Sequence, residues 1–162
     1  MCIALRHVTA EECGRLHELQ QLGFRALLDK YNDVTTNPGA ESQERILSRF
    51  DADGVDQYWI VLDAAEIGYI RIQQMEGGVC RLSQMFILPD FQSKGYAQLA
   101  IALAEAKYPH AKRWELDTIK QETKLCHLYE KMGYRLTGAQ KQIQPGMDLA
   151  DYAKEPWNEI CR

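Results

Sequence analysis

The chain reads Ile-Leu-Pro-Asp-Phe-Gln-Ser-Lys-Gly-Tyr-Ala from residue 87 to residue 97, which predicts a strand end, a proline turn and a helix start. The first amides of a helix lack acceptors within the helix and lie at the positive end of its dipole. Lys94, Gly95 and Tyr96 would supply such amides, and Gly95 lets a ligand approach the backbone closely. The junction therefore predicts a phosphate site, with an ordinary strand-to-helix connection as the alternative.

Upstream of this junction, the residue patterns predict one strand, two helices and an antiparallel meander of three strands. Thr9 and Glu12 form a capping box that opens the first helix. In chain order the predicted elements cover residues 3–8, 9–27, 41–50, 58–63, 67–75 and 80–88. The last of these strands leads directly into the phosphate junction.

Downstream, the patterns predict a helix, a strand, a second helix and a closing pair of strands. The first helix is expected to pack on the sheet through one face, formed by Tyr96, Leu99, Ala100, Leu103 and Ala104. The remaining elements are a strand Arg113 to Ile119, a helix with Leu125, Leu128, Tyr129 and Met132 on one stripe and Gly133 as its cap, and strands at 134–143 and 147–152.

Composition limits the classes of function. The 162 residues are 46% hydrophobic and 26% charged, which is typical of a globular protein and fits one domain over residues 1–162. The net charge of −4 argues against a nucleic-acid partner. No apolar run suits a membrane span or a signal peptide, so we expect no membrane partner and a cytoplasmic location. Five cysteines and four histidines lack ligand spacing, so no metal is predicted.

Two motifs resemble those of the GNAT superfamily of acyl-CoA-dependent N-acetyltransferases. The first is Gln92-Ser93-Lys94-Gly95-Tyr96-Ala97, similar to the family's (Gln/Arg)-x-x-Gly-x-(Gly/Ala). The second is Leu128-Tyr129-Glu130-Lys131-Met132-Gly133-Tyr134, similar to Leu-Tyr-Glu-Lys-x-Gly-Phe. The element order agrees with the family along essentially the whole chain. The resemblance implies an α/β (α+β) fold with a mixed, mostly antiparallel sheet of about six to seven strands, flanked by about four helices.

The resemblance also implies a binding mode for acetyl-CoA. In the family the motif amides bind the pyrophosphate, which here assigns Gln92, Ser93, Lys94, Gly95, Tyr96 and Ala97. The preceding strand pairs its backbone with the pantetheine arm where two central strands separate, which assigns Phe86, Ile87 and Leu88. An amide near Ile87 or Leu88 would meet the oxyanion.

The expected chemistry is transfer of an acetyl group to a primary amine by direct attack on the thioester. The resemblance implies that Tyr129 is the general acid that protonates the leaving thiolate; the alternative is a core tyrosine on an apolar stripe. Some family members carry a carboxylate on the strand before the loop, where this chain has Ser83 and Gln84. Glu115 and Asp117 are the base candidates, each with a solvated surface carboxylate as its alternative.

Two further residues near the second motif have open roles. Cys126 lies one turn before Tyr129, which allows an acyl-cysteine intermediate, but a buried inert thiol is the favoured interpretation. Glu122 stands where the family commonly has asparagine, and it is interpreted as a favourable charge in the first helical turn.

The acceptor is expected to be an amine of a small molecule or a peptide. In the family the segment from about Tyr31 to Phe50 flanks the acceptor groove. The acidic residues in this segment and just before it, Asp29, Asp33, Glu41 and Glu44, favour a cationic amine or are simply solvated.

The competing hypothesis for function is a non-catalytic acyl-CoA-binding module of the same fold. A dinucleotide-binding fold fits less well, because the loop has one glycine where that fingerprint needs three. A homodimer through a carboxy-terminal strand with Tyr152 and Trp157 is a further possibility.

Overall fold

A seven-stranded sheet with the order β1-β2-β3-β4-β5-β7-β6 organises residues 2–155, which are the residues that the computed structural model describes. Every neighbouring pair is antiparallel except β4 and β5, which are parallel. The mixed sheet and its four α-helices confirm the predicted fold class. The elements are β1 (Ile3–His7), α1 (Cys13–Tyr31), α2 (Gln43–Ser48), β2 (Val55–Leu62), β3 (Ala65–Gln74), β4 (Val79–Ile87), α3 (Tyr96–Ala106), β5 (Arg113–Ile119), α4 (Thr123–Lys131), β6 (Arg135–Gln144) and β7 (Met147–Lys154).

The capping signals define where the first two helices begin. The Thr9 amide donates to Glu12 Oε1 at 2.9 Å, as a capping box requires, and a short 3-10 turn leads into α1. The second helix is shorter than the predicted 41–50, because the Ser42 hydroxyl accepts from the Arg45 amide at 3.2 Å and so caps it. Glu41 therefore lies outside α2, and its carboxylate pairs with Arg49.

The strand that closes the sheet is inserted between two others. β7 pairs with β5 along one edge and with β6 along the other. The sequence predicts the two closing strands but not this order, since strand order depends on pairing between distant segments. As a result β5 is an inner strand, flanked by β4 and β7.

The two faces of the sheet bury separate hydrophobic clusters. One face packs against α3 and α4 through Ile70, Trp114 and Leu116, and the other packs against α1 through Tyr69 and Phe86. The predicted face of α3 is wrong in part. Its buried residues are Ala100, Ile101 and Ala104, whereas Leu99 and Leu103 are 53% and 38% exposed. Small alanines allow α3 to lie close to the sheet, and this turns the two leucines outward.

The structure bears on two expectations from the sequence, a dimer contact through Tyr152 and Trp157 and the lack of a membrane span. Tyr152 is only 2% exposed and donates to Glu130 at 2.7 Å, so it belongs to the core and cannot supply a dimer contact. Trp157 lies outside the described residues. Within residues 2–155, no helix is long and apolar enough to cross a membrane.

The parallel strands β4 and β5 stay together only at one end. Their pairing covers three positions, Val79–Arg81 with Arg113–Glu115, and ends there. A wedge-shaped gap therefore opens between the later halves of the two strands. In β4 this half begins with a β-bulge at Ser83, since Ile72 pairs with Leu82 and Arg71 pairs with Gln84. We call this opening the β4–β5 gap.

Gly68 fixes the end of β4 that borders the gap. A Cβ on Gly68 would lie 2.3 Å from the Phe86 backbone oxygen, which cannot yield as a flexible side chain can. We expect Gly68→Ala to lower the free energy of unfolding by about 1–3 kcal/mol or more, measured by urea denaturation.

Gly14→Ala is the matched control for this substitution. A Cβ there meets only the Gln43 side chain at 3.6 Å, an ordinary contact, and alanine is favoured in a helix by up to about 1 kcal/mol. Equal stabilities of the two variants would contradict the close approach of β3 to β4.

Candidate functional site

Backbone groups of β4 line one side of the β4–β5 gap. The Leu88 amide donates to the Ile67 oxygen at 2.8 Å and so faces β3. Successive residues of a strand point their backbone groups to opposite edges, so the Ile87 amide faces the gap and that of Phe86 does not. Of the three strand residues predicted to contact a ligand, Ile87 alone presents its backbone there. Met85 does so by the same alternation, which sequence reasoning missed.

The loop at the end of β4 has the geometry of an anion site. Gly95 is the N-cap residue of α3 with φ = 85°, and Ser93 before it has φ = 61°. The first bond of the α3 ladder runs from the Leu99 amide to the Gly95 oxygen at 3.3 Å. A Cβ placed on Gly95 would meet nothing within 4 Å, so open space lies against this backbone. A negatively charged group in that space would meet the positive end of the α3 dipole.

Side chains hold this loop and add charge to it. Gln92 Nε2 donates to the Ile87 oxygen at 2.8 Å, which ties the loop to the end of β4. Lys94 is exposed, and Lys124 Nζ from α4 lies 3.2 Å from Ser93 Oγ. Lys124 is a second cation at the loop that the sequence did not reveal, since it lies 30 positions after Lys94. Two lysines therefore stand beside the open space, as an anionic ligand would require.

Tyr129 occupies a buried position on α4, and its hydroxyl makes no hydrogen bond within the described part of the chain. Its side chain is 7% exposed and packs edge-on against Tyr134, with ring centroids 6.2 Å apart. Within residues 2–155 no group hydrogen-bonds its hydroxyl, whereas those of Tyr134 and Tyr152 donate to carboxylates at 2.7 Å. Burial raises the pKa of Tyr129 well above its usual value, with further increases from the Asp117 carboxylate and the Cys126 thiol. The hydroxyl therefore keeps its proton at neutral pH.

The two base candidates on β5 differ in position. Glu115 lies where β5 still pairs with β4, and its carboxylate accepts from Arg113 at 2.8 Å. Asp117 lies beyond that pairing, beside the gap, and accepts from Arg81 at 2.5 Å. The Asp117 side chain is 38% exposed; its partial burial raises the pKa of the carboxyl, the Arg81 charge opposes the shift, and the nearby Asp151 carboxylate adds to it. A carboxylate with a raised pKa is a better proton acceptor.

Cys126 and Glu122 have structural partners. The Cys126 thiol donates to the backbone oxygens of Ile119 and Lys120 at 3.8 and 3.7 Å, which supports an inert thiol. Glu122 accepts from Lys30 at 2.6 Å and from Tyr31 at 2.5 Å, joining the start of α4 to the end of α1. Its side chain does not cap α4, so its role is this contact between helices.

Two of the acidic residues expected to attract a cationic amine are already occupied. Asp33 Oδ1 accepts from the amides of Thr35 and Thr36 at 3.0 Å and so shapes its own loop. Glu41 accepts from both terminal nitrogens of Arg49. These two carboxylates stabilise the loop between α1 and α2 and do not present a negative surface to a ligand.

Comparison with known families decides the classification. A model of the acetyltransferase (GNAT) family matches residues 17–134, which is more than half of the chain. The chain belongs to this family. The match confirms the resemblance found in the two motifs. No curated protein matches the chain in sequence.

Solved N-acetyltransferase structures have the same fold as this GNAT chain. Spermidine N-acetyltransferase from Vibrio cholerae, in complex with CoA and spermine, is 17% identical, with a TM-score of 0.77 and 98% of each chain covered. The paia N-acetyltransferase from Thermoplasma acidophilum, in complex with coenzyme A, is 14% identical, with a TM-score of 0.69 and 96% of this chain and 99% of that chain covered. AAC(6')-Ib in complex with ribostamycin and coenzyme A is 15% identical, with a TM-score of 0.72 and coverage of 96% and 94%.

The residues at the gap fit the acyl-CoA that the GNAT family uses. Open space at Gly95, the α3 dipole, Lys94 and Lys124 suit a pyrophosphate, and the Ile87 backbone suits an extended arm that needs hydrogen-bond partners. Within residues 2–155, no group of three or more histidine, cysteine, aspartate or glutamate side chains could hold a metal ion.

Proposed function

We propose that this protein transfers the acetyl group of acetyl-CoA to a primary amine of a small molecule or peptide, by direct attack of the amine on the thioester. The observation that carries the proposal is the protonated hydroxyl of Tyr129, a side chain only 7% exposed, which has no hydrogen-bond partner within residues 2–155. Among the fully buried side-chain nitrogen and oxygen atoms of residues 2–155, Trp59 Nε1 alone lacks a partner, so the unpartnered Tyr129 hydroxyl is accessible enough to donate to a bound ligand.

The chain's own residues would place the cofactor in a defined direction. The loop from Gln92 to Ala97 binds the pyrophosphate, helped by Lys94 and Lys124. The Ile87 oxygen, which also accepts from Gln92, and the Met85 backbone face the β4–β5 gap and would hold the pantetheine arm as an added strand holds to a sheet edge. Acetyl-CoA supplies an activated carbonyl group with a thiolate as its leaving group.

Three groups would then act on the reacting atoms, as oxyanion donor, general base and general acid. The Ile87 amide stabilises the negative charge that develops on the carbonyl oxygen. Asp117 accepts the proton that the amine must lose, directly or through water, since an alkylammonium with a pKa of about 10.4 cannot attack. A C–N bond forms and the C–S bond breaks, and Tyr129 donates its proton to the departing thiolate.

Asp117→Asn tests the assignment of the base. We expect kcat/KM for the amine to fall by about 100-fold or more, because proton transfer contributes about 10²–10⁴ in rate. In the unmodified protein kcat/KM should fall as the pH drops through the pKa of Asp117, which burial holds above its usual value. The pH profile of the variant should lack this fall.

Glu115→Gln is the control, because it removes a carboxylate from the same strand at a position where β5 is still paired. It should keep both the rate and the fall at low pH. A loss of activity shared equally by the two variants would contradict the assignment of Asp117.

A non-catalytic acyl-CoA-binding module is the second candidate. It is favoured by Gln84, an uncharged side chain that cannot accept a proton as a carboxylate would. This residue stands near the position of the strand carboxylate of some family members, and both ends of its amide are hydrogen-bonded. It donates to Gln20 at 2.9 Å and accepts from Arg71 at 3.2 Å.

Release of free CoA thiol in a panel of primary amines separates the two candidates. Thiol release that depends on the amine, with the acetylated amine as product, supports the enzyme. Acetyl-CoA binding without thiol release from any amine supports the binding module.

A further inference from the structure

A polar cavity of about 420 Å³ lies on the α1 side of the sheet, next to the β4–β5 gap. Its walls are the loop and short helix between α1 and β2, together with Arg71 of β3 and the bulged Ser83 and Gln84 of β4. Gln84 is three residues before Ile87, about 10 Å along the strand. The cavity therefore borders the same strand whose end would hold the acetyl group, and an acceptor in it can extend its amine along β4 toward that end.

The charges on the walls of this cavity are mainly positive. The lining contains three guanidinium groups, those of Arg45, Arg49 and Arg71, and one carboxylate, that of Glu41. Glu41 is already paired with Arg49 and lies 3.5 Å from Arg45 Nε. Burial alone would raise the pKa of Glu41, but its hydrogen bonds from Arg49 and Gln20 outweigh this and hold the pKa below its usual value. The carboxylate therefore stays ionised, and two positive charges remain in excess.

Arg71 is the cation that has no carboxylate partner. It is partly buried at the inner wall of the cavity, and within residues 2–155 it forms no ion pair. Its Nη1 donates to Gln84 Oε1 at 3.2 Å, a neutral amide. Burial lowers the pKa of the Arg71 guanidinium and the Arg49 charge adds to this decrease, while the Tyr69 hydroxyl and the more distant Glu41 charge oppose it. Buried arginines are usually paired with an anion, because the desolvation of an unpaired charge is costly.

A network of hydrogen bonds fixes Arg71 in this orientation. Gln84 links Arg71 to Gln20 of α1, and Gln20 donates to the Pro38 oxygen at 2.7 Å and to Glu41 at 2.9 Å. The inner wall is therefore connected from β3 to the loop after α1. A guanidinium held in this way presents its remaining N–H groups as a fixed fork, which matches a carboxylate.

We propose that the amine acceptor carries a carboxylate or a similar acid group, which binds Arg71 in this cavity and directs the amine toward the β4–β5 gap. The proposal rests on the acetyltransferase function proposed above and names its substrate class. The acceptor is thus a zwitterion at neutral pH, such as an amino acid. Acetylation removes its positive charge and leaves an anionic product.

Paired acceptors test this proposal. Each L-amino acid or ω-amino acid is compared with the amine that lacks its acid group: histidine with histamine, tyrosine with tyramine, and 6-aminohexanoate with pentylamine. We expect kcat/KM to be at least tenfold higher for the acid-bearing member of the pairs that react. Equal or higher values for the simple amines would overturn the anion site while leaving the acetyltransferase intact. Failure of every amine to release CoA thiol would instead overturn the proposed function, and this inference with it.

Arg71→Gln provides the second readout. We expect kcat/KM for the acid-bearing amine to fall by about 10- to 100-fold, as for a lost hydrogen bond to a charged group. The KM for acetyl-CoA and the rate with the matched simple amine should not change. Arg135→Gln is the control, because it makes the same charge change at an exposed position on β6. An equal loss with both amines would mean that Arg71 only supports the fold, and would overturn the proposal.

Discussion

Tyr129→Phe is expected to lower kcat by about 100- to 10,000-fold, because it removes the proton that the departing thiolate needs. The variant should bind acetyl-CoA as the unmodified protein does. It should also be as stable, since within residues 2–155 the Tyr129 hydroxyl has no hydrogen bond to lose. Steady-state kinetics, acetyl-CoA titration and urea denaturation measure the three quantities.

Tyr134→Phe is the matched control for this prediction, and it should give the opposite pattern. Tyr134 packs against Tyr129, and its hydroxyl donates to Glu105 at 2.7 Å. Loss of that bond to a carboxylate should lower the free energy of unfolding by about 1–3 kcal/mol and leave kcat within a few fold. An active Tyr129→Phe variant would show that another group protonates the thiolate.

Gly95→Ala is expected to raise the Kd for acetyl-CoA by about 10- to 100-fold, the equivalent of one lost hydrogen bond to a charged group. The added Cβ would enter the open space where the pyrophosphate is proposed to lie, and alanine is strained at φ = 85°. Calorimetric titration with acetyl-CoA measures the change directly.

Gly77→Ala is the control that separates backbone strain at a positive φ from loss of the space in which the pyrophosphate is proposed to bind. Gly77 has φ = 76°, and a Cβ there also meets nothing within 4 Å, but it lies before β4, at the opposite end from the loop. Both variants should lose about 1–2 kcal/mol of stability, and only Gly95→Ala should bind acetyl-CoA more weakly. Equal Kd values for the two variants would place the pyrophosphate away from Gly95.

Local patterns predicted much of the fold. The strand Arg113–Ile119 has the predicted bounds, because the buried Trp114 and Leu116 alternate along it with charged residues that are not buried. The order β5-β7-β6 could not be predicted in this way, since it depends on which distant strand reaches the edge of β5. The face of α3 was misplaced because Leu99 and Leu103 are more hydrophobic than the alanines that pack on the sheet.

The candidate site likewise has parts that short motifs predict and parts that depend on residues far apart in the sequence. The loop around Gly95 and the position of Tyr129 follow from short motifs, so the sequence alone could indicate them. The arginine-lined cavity joins Arg49 and Arg71, which come from separate elements and share no motif. The acidic residues near Glu41 even suggested the opposite charge, because the sequence does not show that Arg49 neutralises this carboxylate.

The thermal melting temperature with and without acetyl-CoA tests the central claim most directly, with ATP and NAD as controls. At 100 times its Kd, acetyl-CoA should stabilise the protein by about 2.7 kcal/mol. For a domain of this size, that raises the melting temperature by about 5–11 °C. The account predicts this shift with acetyl-CoA alone and a much smaller one for Gly95→Ala. No shift, or a shift only with ATP or NAD, would contradict an acetyl-CoA site at the β4–β5 gap.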